Sequence, residues 1–361
     1  MQNKNKEDEN DKNEKTKGFW IIVSLAFLVI SVILAWVIYA FFMQDKIKAI
    51  TPLEILSRNL MKEKPAADQA DGNIRRAIDG VYAAKGQENY FPIAVVIDNH
   101  LDARPQSGLA SANLVFEAEV EGATTRFLAF FADNRQIENI GPVRSARPYF
   151  IDWISEFSSS FVHCGGSPEA LTRIIKENVI NINEFYKGEL FWRSNSHLAP
   201  HNVYTSIENI RAYLNDKNLI AGKYFSWLFK DDEPSEEATS NHILIPEFGV
   251  VWKYNKLDNS YIRYLGKSKH LDASSQEIKA KNIIIMAVNS EVIDEELRLK
   301  LETIGSGEAV VCSDGNCEEG QWRKKSKLSR TRYYDQAGAE IVFNAGTTWV
   351  EVVRPGYKID Y

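Results

Sequence analysis

The sequence predicts an α+β protein behind an N-terminal transmembrane helix, with a mixed α/β part first and a β-rich part after it. Three observations carry this. Residues 18–44 hold no charged side chain, and residues 19–42 are nearly all apolar. Over residues 90–230 strand-like runs alternate with segments opened by proline, the pattern of mixed α/β folds. Beyond the acidic run Asp231-Asp232-Glu233-Pro234-Ser235-Glu236-Glu237, strand-like runs separated by turn residues follow one another over residues 240–356, as in β-rich folds. The 361 residues suit about two domains at roughly 100–200 residues each. With 44% hydrophobic residues, the chain is neither disordered nor collagenous. Lys+Arg 43 against Asp+Glu 49 give a net charge of −6 with no basic block, which argues against nucleic acid as the main partner.

Residues 1–18 mix Lys and acidic side chains with no apolar pattern and read as a solvated cytoplasmic tail. The helix expected over residues 19–43 comes next; at about 1.5 Å per residue, residues 19–42 reach about 36 Å, enough for a hydrocarbon layer of about 30 Å. Trp20, Trp36 and Tyr39 lie toward its ends, where amphipathic rings favour the headgroups. Ala40-Phe41-Phe42-Met43 is a poor signal-peptidase site, and no cysteine precedes Cys164, so the helix itself is the expected anchor. The positive-inside rule ties, since Lys4, Lys6, Lys12, Lys15 and Lys17 face Lys46, Lys48, Arg58, Lys62 and Lys64 across the span. Residues 44–89 read as a tether with a short helix opened by the capping box Thr51-Pro52-Leu53-Glu54.

Ile93 to Ile97 is an apolar strand ending in Asp98-Asn99-His100. Leu114 to Glu121 alternates, with Glu117, Glu119 and Glu121 on one face, a half-buried strand with an acidic side. Gly122-Ala123 suits a two-residue turn into the strand Thr125 to Phe131, placing Arg126 opposite Glu119. Helices are expected from Pro148 to Phe157, from Pro168 to about Asn178 and from Ser206 to Leu214, with a strand Phe161 to Cys164 between the first two. In the second part, Ile243–Ile245, Val250–Tyr254, Tyr261–Leu265, Ile283–Val288, Glu308–Cys312, Glu319–Arg323 and Thr347–Val353 read as strands. Cys312-Ser-Asp-Gly-Asn-Cys317 is a hairpin signal; with Asp314-Gly315 as the loop, the two cysteines face each other within disulfide reach. Reduced thiols remain the alternative.

Chemistry is expected at element ends. Arg144 and Arg147 stand in Gly141-Pro142-Val143-Arg144-Ser145-Ala146-Arg147-Pro148 just before a helix, so their guanidinium forks and the helix N-terminus suit a phosphate or carboxylate. Ion pairs of these arginines with Glu117, Glu121 or Asp152 are the alternative. The three strand glutamates repel one another unless cations intervene. Arg126 is one such cation, and Asp98, His100 or His163 would assist a metal. No spacing matches a metal motif, so neither metal nor cofactor is expected. Ser167, after Gly165-Gly166, is an N-cap or a nucleophile near His163; Cys164 is a buried thiol or a nucleophile. Arg193, His197, His201 and Asn202 sit in an aromatic and basic stretch suited to line the same cleft.

Asp98-Asn99, Arg104-Pro105-Gln106-Ser107-Gly108, Phe116-Glu117, Glu121-Gly122, Thr125-Arg126-Phe127, Gly141 to Arg147, His163, Gly165-Gly166-Ser167, Phe191-Trp192-Arg193 and Pro200-His201-Asn202, in that order, resemble the YerB-like family. So do Ala280-Lys281-Asn282, Gly305-Ser306-Gly307, Gly320-Gln321-Trp322, Arg330-Thr331-Arg332 and Thr348-Trp349-Val350-Glu351. The resemblance covers residues 90–356 and implies a bacterial, membrane-tethered, extracytoplasmic protein with a two-part domain of unknown function, often a lipoprotein. This chain departs by presenting an apolar span instead of a lipidated cysteine. The leading expectation is an envelope protein that binds an anionic glycan or lipid precursor through Arg126, Arg144, Arg147 and Arg193, with His163, Ser167, His201 and Asn202 as polar partners. The alternatives are a hydrolase or group-transfer enzyme on such a ligand, with Glu117, Glu121 or His163 as catalytic groups, and a scaffold recruiting a protein partner.

Overall fold

A computed structural model describes residues 72–361. The expected tail, transmembrane helix and capping-box helix lie outside the described residues. Among the described residues no helix is long and apolar enough to cross a membrane.

The strands are β1 Ile93–Asp98, β2 Leu114–Glu119, β3 Thr125–Phe131, β4 Ser160–His163, β5 Ile180–Asn183, β6 His242–Ile245, β7 Val250–Asn255, β8 Ser260–Leu265, β9 Asn282–Ala287, β10 Gly305–Ser313, β11 Asn316–Lys324, β12 Arg332–Asp335 and β13 Thr348–Val353. The helices are α1 Pro148–Ser155, α2 Pro168–Lys176 and α3 Ile207–Asn215. Shorter strand pairs complete the molecule. Pro148 and Pro168 open their helices as expected, because the missing N–H costs nothing in a first turn. Ser206 caps α3 by accepting from Asn209 N at 3.1 Å.

The two expected domains are one body in the structure. A ten-stranded sheet runs β12-β11-β10-β9-β13-β2-β3-β1-β4-β5. Strand β13, near the end of the chain, lies parallel to β2 of the first part and to β9 of the second. The reason is visible in its composition: every residue of Thr348-Trp349-Val350-Glu351-Val352-Val353 is buried, and a strand buried on both faces needs neighbours on both edges. One face of the sheet packs α1 and α2 through Phe116, Phe130, Tyr149 and Trp153; the other packs α3 and the small β6-β7-β8 sheet through Val95, Phe127, Ile210 and Trp252.

Three further expectations change. Residues 72–89 are folded: the short strands Asn73–Arg75 and Tyr82–Ala84 pair, Ile78 enters the core, and Asp79 accepts from Asn113 Nδ2 at 2.8 Å. The β2–β3 register places Glu119 opposite Thr125 and Ala118 opposite Arg126. Val120 N donates to Thr124 O at 2.8 Å, and Gly122 and Ala123 both take positive φ, so the loop holds three residues rather than two. Arg126 therefore shares a face with Phe116 and Ala118 instead of with the glutamates, since a one-residue shift moves a side chain across the sheet. The acidic face of β2 is not solvated: Glu117 and Glu119 are both buried. Cys312 and Cys317 are directly paired across β10–β11 and form a disulfide, with Cα atoms 4.0 Å apart.

Candidate functional site

Strands β1, β4 and β5 run parallel, and their carboxyl ends bring Asp98, Cys164 and Glu184 to one edge of the sheet. Ligands of open α/β sheets commonly sit outside such ends. The hairpin of Phe191–Arg193 with Val203–Thr205 supplies Arg193, His201 and Asn202 to the same edge. Asp98 is buried; its Oδ2 accepts from His201 Nδ1 at 2.7 Å and lies 2.9 Å from Arg144 Nε, and its Oδ1 accepts from His100 N at 3.0 Å. The Arg144 Nε is poorly aligned for a hydrogen bond to any group, so charge holds it there. His100 stacks on His201 with centroids 4.8 Å apart. Arg193, half exposed, donates to Asn202 Oδ1 at 2.9 Å and to Glu184 Oε1 at 3.2 Å. The Cys164 thiol lies 3.5 Å from Glu184 Oε2 and is pushed up to about 11 by burial and by that carboxylate, so it stays protonated at neutral pH and is no nucleophile.

The remaining expected anion contacts are spent inside the protein. Glu121 accepts from Arg126 Nη2 at 2.8 Å and from Arg147 Nε at 2.9 Å, and Arg147 Nη2 also reaches it. Burial draws Arg126 down to about 10, while the two guanidiniums hold Glu121 at about 2 against the opposing effect of its own burial. A carboxylate so held contributes stability that is present above its unfolded value of about 4.5 and is lost as pH falls toward about 2. We expect Glu121→Gln to lower stability at pH 7 and the gap to wild type to narrow steadily below pH 4.5, read by urea unfolding across that range. A constant gap would remove this role.

His163 is wholly buried, with Nδ1 2.6 Å from Gly165 O and Nε2 2.8 Å from the Asn181 side chain. Burial lowers its pKa, favouring the neutral ring. It fixes the β4–α2 loop and does not face the edge as a proton carrier. Ser167 caps α2 through Ala170 N, in line with its N-cap reading, and no base is hydrogen-bonded to it among the described residues.

Glu117 is equally misplaced for base catalysis. It is wholly buried and accepts from Arg263 Nη2 at 2.5 Å, Thr125 Oγ1 at 2.7 Å and Asn99 Nδ2 at 3.0 Å. Beside it in register stands Glu351, whose Oε1 accepts from Trp252 Nε1 at 2.8 Å. Burial and the Glu117 charge raise Glu351 well above 4.5, which favours its protonated form beside Glu117. His270, drawn down to about 2 by burial and by Arg263, accepts from Arg263 Nη1 at 2.7 Å and donates to Gln106 Oε1 at 2.8 Å. Gln106 in turn donates to Asp98 O at 3.0 Å and Asn99 Oδ1 at 3.1 Å. The network therefore ends directly beneath the exposed edge. Many of the short motifs singled out above, among them Asn99, Gln106, Glu117, Thr125 and Glu351, belong to this buried set. Arg263 and His270 carried no signal, because only the tertiary fold brings them to β2.

A cavity of about 670 Å³ lies elsewhere, against β10 and β11 and under the C-terminal segment, with Glu308, Gln321, Arg323 and Tyr357 in its wall. None of the expected site residues lines it. Its Glu319 is held by Tyr361 OH at 2.7 Å and Gln336 Nε2 at 3.2 Å.

Comparison with known proteins agrees with this architecture. Residues 79–220 match the N-terminal domain and residues 245–350 the C-terminal domain of a protein family of unknown function, DUF3048. A Bacillus subtilis protein named "Putative lipoprotein YerB" is 29% identical over 301 residues, covering 81% of this chain and 90% of the relative. The crystal structure of the YerB protein from Bacillus subtilis superposes with a TM-score of 0.70 at 30% identity, over 80% of this chain and 100% of that one. The chain belongs to the YerB-like DUF3048 family, with both of its parts present in order.

Proposed function

We propose that this chain is a single-pass membrane protein, anchored by residues 19–43, that presents residues 72–361 outside the cytoplasm to bind a phosphate- or carboxylate-bearing envelope glycan or lipid precursor. The anchor rests on the uncharged apolar span, and the location on the relative's name as a lipoprotein and on the Cys312–Cys317 disulfide, which suits an oxidising compartment. One observation carries the binding reading: Arg144, Arg193, His201 and Asn202 gather at the carboxyl ends of β1, β4 and β5, with Arg193 half exposed. Arg126, Arg147, His163 and Ser167 take no part, being occupied internally.

The geometry of these groups supports binding; it assigns no bond to be made or broken. The ion pairs of Arg144 with Asp98 and Arg193 with Glu184 favour a second reading, a scaffold that recruits a protein partner. Binding of a phosphorylated cell-wall glycan fragment to the full chain in detergent separates the two. Replacing Arg144 and Arg193 together by Ala is expected to weaken binding about tenfold or more, the worth of lost charge-assisted hydrogen bonds. Binding that does not depend on either arginine leaves the scaffold.

A further inference from the structure

The same edge carries a second arrangement that the arginines do not explain. One ring nitrogen of His100, one of His201 and one carboxylate oxygen of Asp102 all lie within 4.8 Å of one another. His201 is nearly covered, and its Nδ1–H is directed at the buried Asp98 Oδ2 at 2.7 Å. That bond fixes the ring and its tautomer and leaves Nε2 with a free lone pair. A carboxylate behind a histidine, setting the outer nitrogen for coordination, is the usual support of a metal-bound imidazole. Asp102, in the short turn Leu101–Ala103, and His100, which caps that turn, complete the set.

We infer that His100, Asp102 and His201 form a binding site for one zinc-type divalent cation, with Asp98 as the positioning residue behind His201. Two imidazoles and a carboxylate suit zinc and leave a fourth position open. Tetrahedral coordination at about 2.0–2.1 Å places donor atoms about 3.3 Å apart, so the widest of the three separations must close by up to about 1.5 Å. The side chains of His100 and Asp102 are 44% and 71% exposed and have room to turn inward, His100 giving up its stacking on His201 and the bond it accepts from Asp102 N at 3.2 Å, whereas His201 is held. The local charge permits a cation: Asp98 and Asp102 stand together, Arg144 is paired to Asp98, and Arg104 is turned onto the Asn99 side chain and carbonyl. Arg144 shares Asp98 Oδ2 with His201, so an ion with an open position near it would also bind the anionic group proposed above. The inference shares its location with that reading but does not require the anion, and each can fail alone.

The test is titration of the full chain, in detergent and freed of metal by chelation, with Zn²⁺ against a chromophoric chelator and no anionic ligand added. Uptake of one ion per chain is expected, with Co²⁺ giving the visible absorption of a four-coordinate site. His100→Ala and His201→Ala should each weaken uptake about tenfold or more, and Asp98→Asn about 10–100-fold through loss of its positioning bond. His100 and Asp102 are exposed, so His100→Ala and Asp102→Ala test the site without threatening the fold. His242→Ala, at an exposed histidine 3.5 Å from Asp360, should leave affinity unchanged. No one-to-one uptake, or uptake indifferent to His100→Ala and His201→Ala, overturns the inference. Zinc uptake that persists while the arginine pair proves irrelevant to glycan binding supports the ion and removes the anion reading alone.

Discussion

Arg263→Leu is expected to destabilise the protein by about 3–5 kcal/mol, the cost of leaving a buried ion without its partner. Arg263 and Glu117 are both wholly buried and 2.5 Å apart, and the guanidinium also lies over Phe127, Trp252 and Trp349 at 5.5, 5.8 and 5.3 Å. Without it Glu117 and the neighbouring Glu351 share a dry site. Urea unfolding followed by tryptophan fluorescence reads the loss, since Trp252 and Trp349 flank the group. Adding Glu117→Gln and Glu351→Gln to Arg263→Leu should recover most of it, because a neutral cluster costs far less to bury than an uncompensated charge. A loss below about 1 kcal/mol would show that the pair is not what joins the two parts.

The same cluster sets a pH dependence whose sign follows from protonation. Glu351 keeps its proton in the folded chain at pH values where the unfolded chain has released it above 4.5. The folded state then binds more protons, so stability falls as pH rises from about 4.5 toward the raised value. Glu351→Gln supplies a permanently neutral group in the same shape. It should flatten this slope and make the variant at least as stable as wild type at pH 7.

Glu156→Gln is the second substitution with a large expected effect. Glu156 is buried; it accepts from Lys324 Nζ at 2.8 Å, Thr331 Oγ1 at 2.6 Å, Thr331 N at 2.9 Å and Arg330 Nη1 at 3.1 Å. Arg330 lies between Phe157 and Trp227, at 4.0 and 3.7 Å, and burial draws it down to about 10. Burial lowers Lys324 as well. Losing the carboxylate charge leaves two buried cations and should cost about 3–5 kcal/mol. The remedy open to the variant is release of the Lys324 proton. In Glu156→Gln the unfolded chain then binds more protons than the folded one, so stability should climb as pH rises above neutrality. Adding Lys324→Met should remove both the slope and part of the loss. A small loss with no pH slope would contradict the assignment of Glu156 as the second tie between the parts.

Both ties join residues more than a hundred positions apart, and this separates what was legible from what was not. The strands around Ile93, Leu114, Thr125, Val250, Ile283 and Thr348 were readable, because burial on one or both faces imposes a period on the residues themselves. The proline-opened helices and the Asp314-Gly315 hairpin were readable because caps and tight turns are local chemistry. Arg144, His201, Asn202 and Arg193 do lie at one edge, as their nearness in sequence to element ends suggested. Arg126, Arg147, His163 and Ser167 were drawn into the same group for equally local reasons, and the fold occupies them elsewhere.

Legible in the chain alone were the three helices, most of the longer strands, the apolar N-terminal span, the facing cysteines and membership of a two-part family, all properties of neighbouring residues or of motif order; the strands Ile180–Asn183 and Arg332–Asp335 were not. The tertiary structure alone decided that β13 joins both parts in one ten-stranded sheet, that a single residue of register takes Arg126 off the acidic face, and that Glu117 lies sealed against Arg263 and Glu351 rather than open to a substrate. It also decided that Asp98 binds His201 from 103 residues away. The physical reason is common to these cases. A partner across a sheet leaves no period in the chain, and a charge shows whether it is spent or free only when the group that neutralises it has been brought alongside.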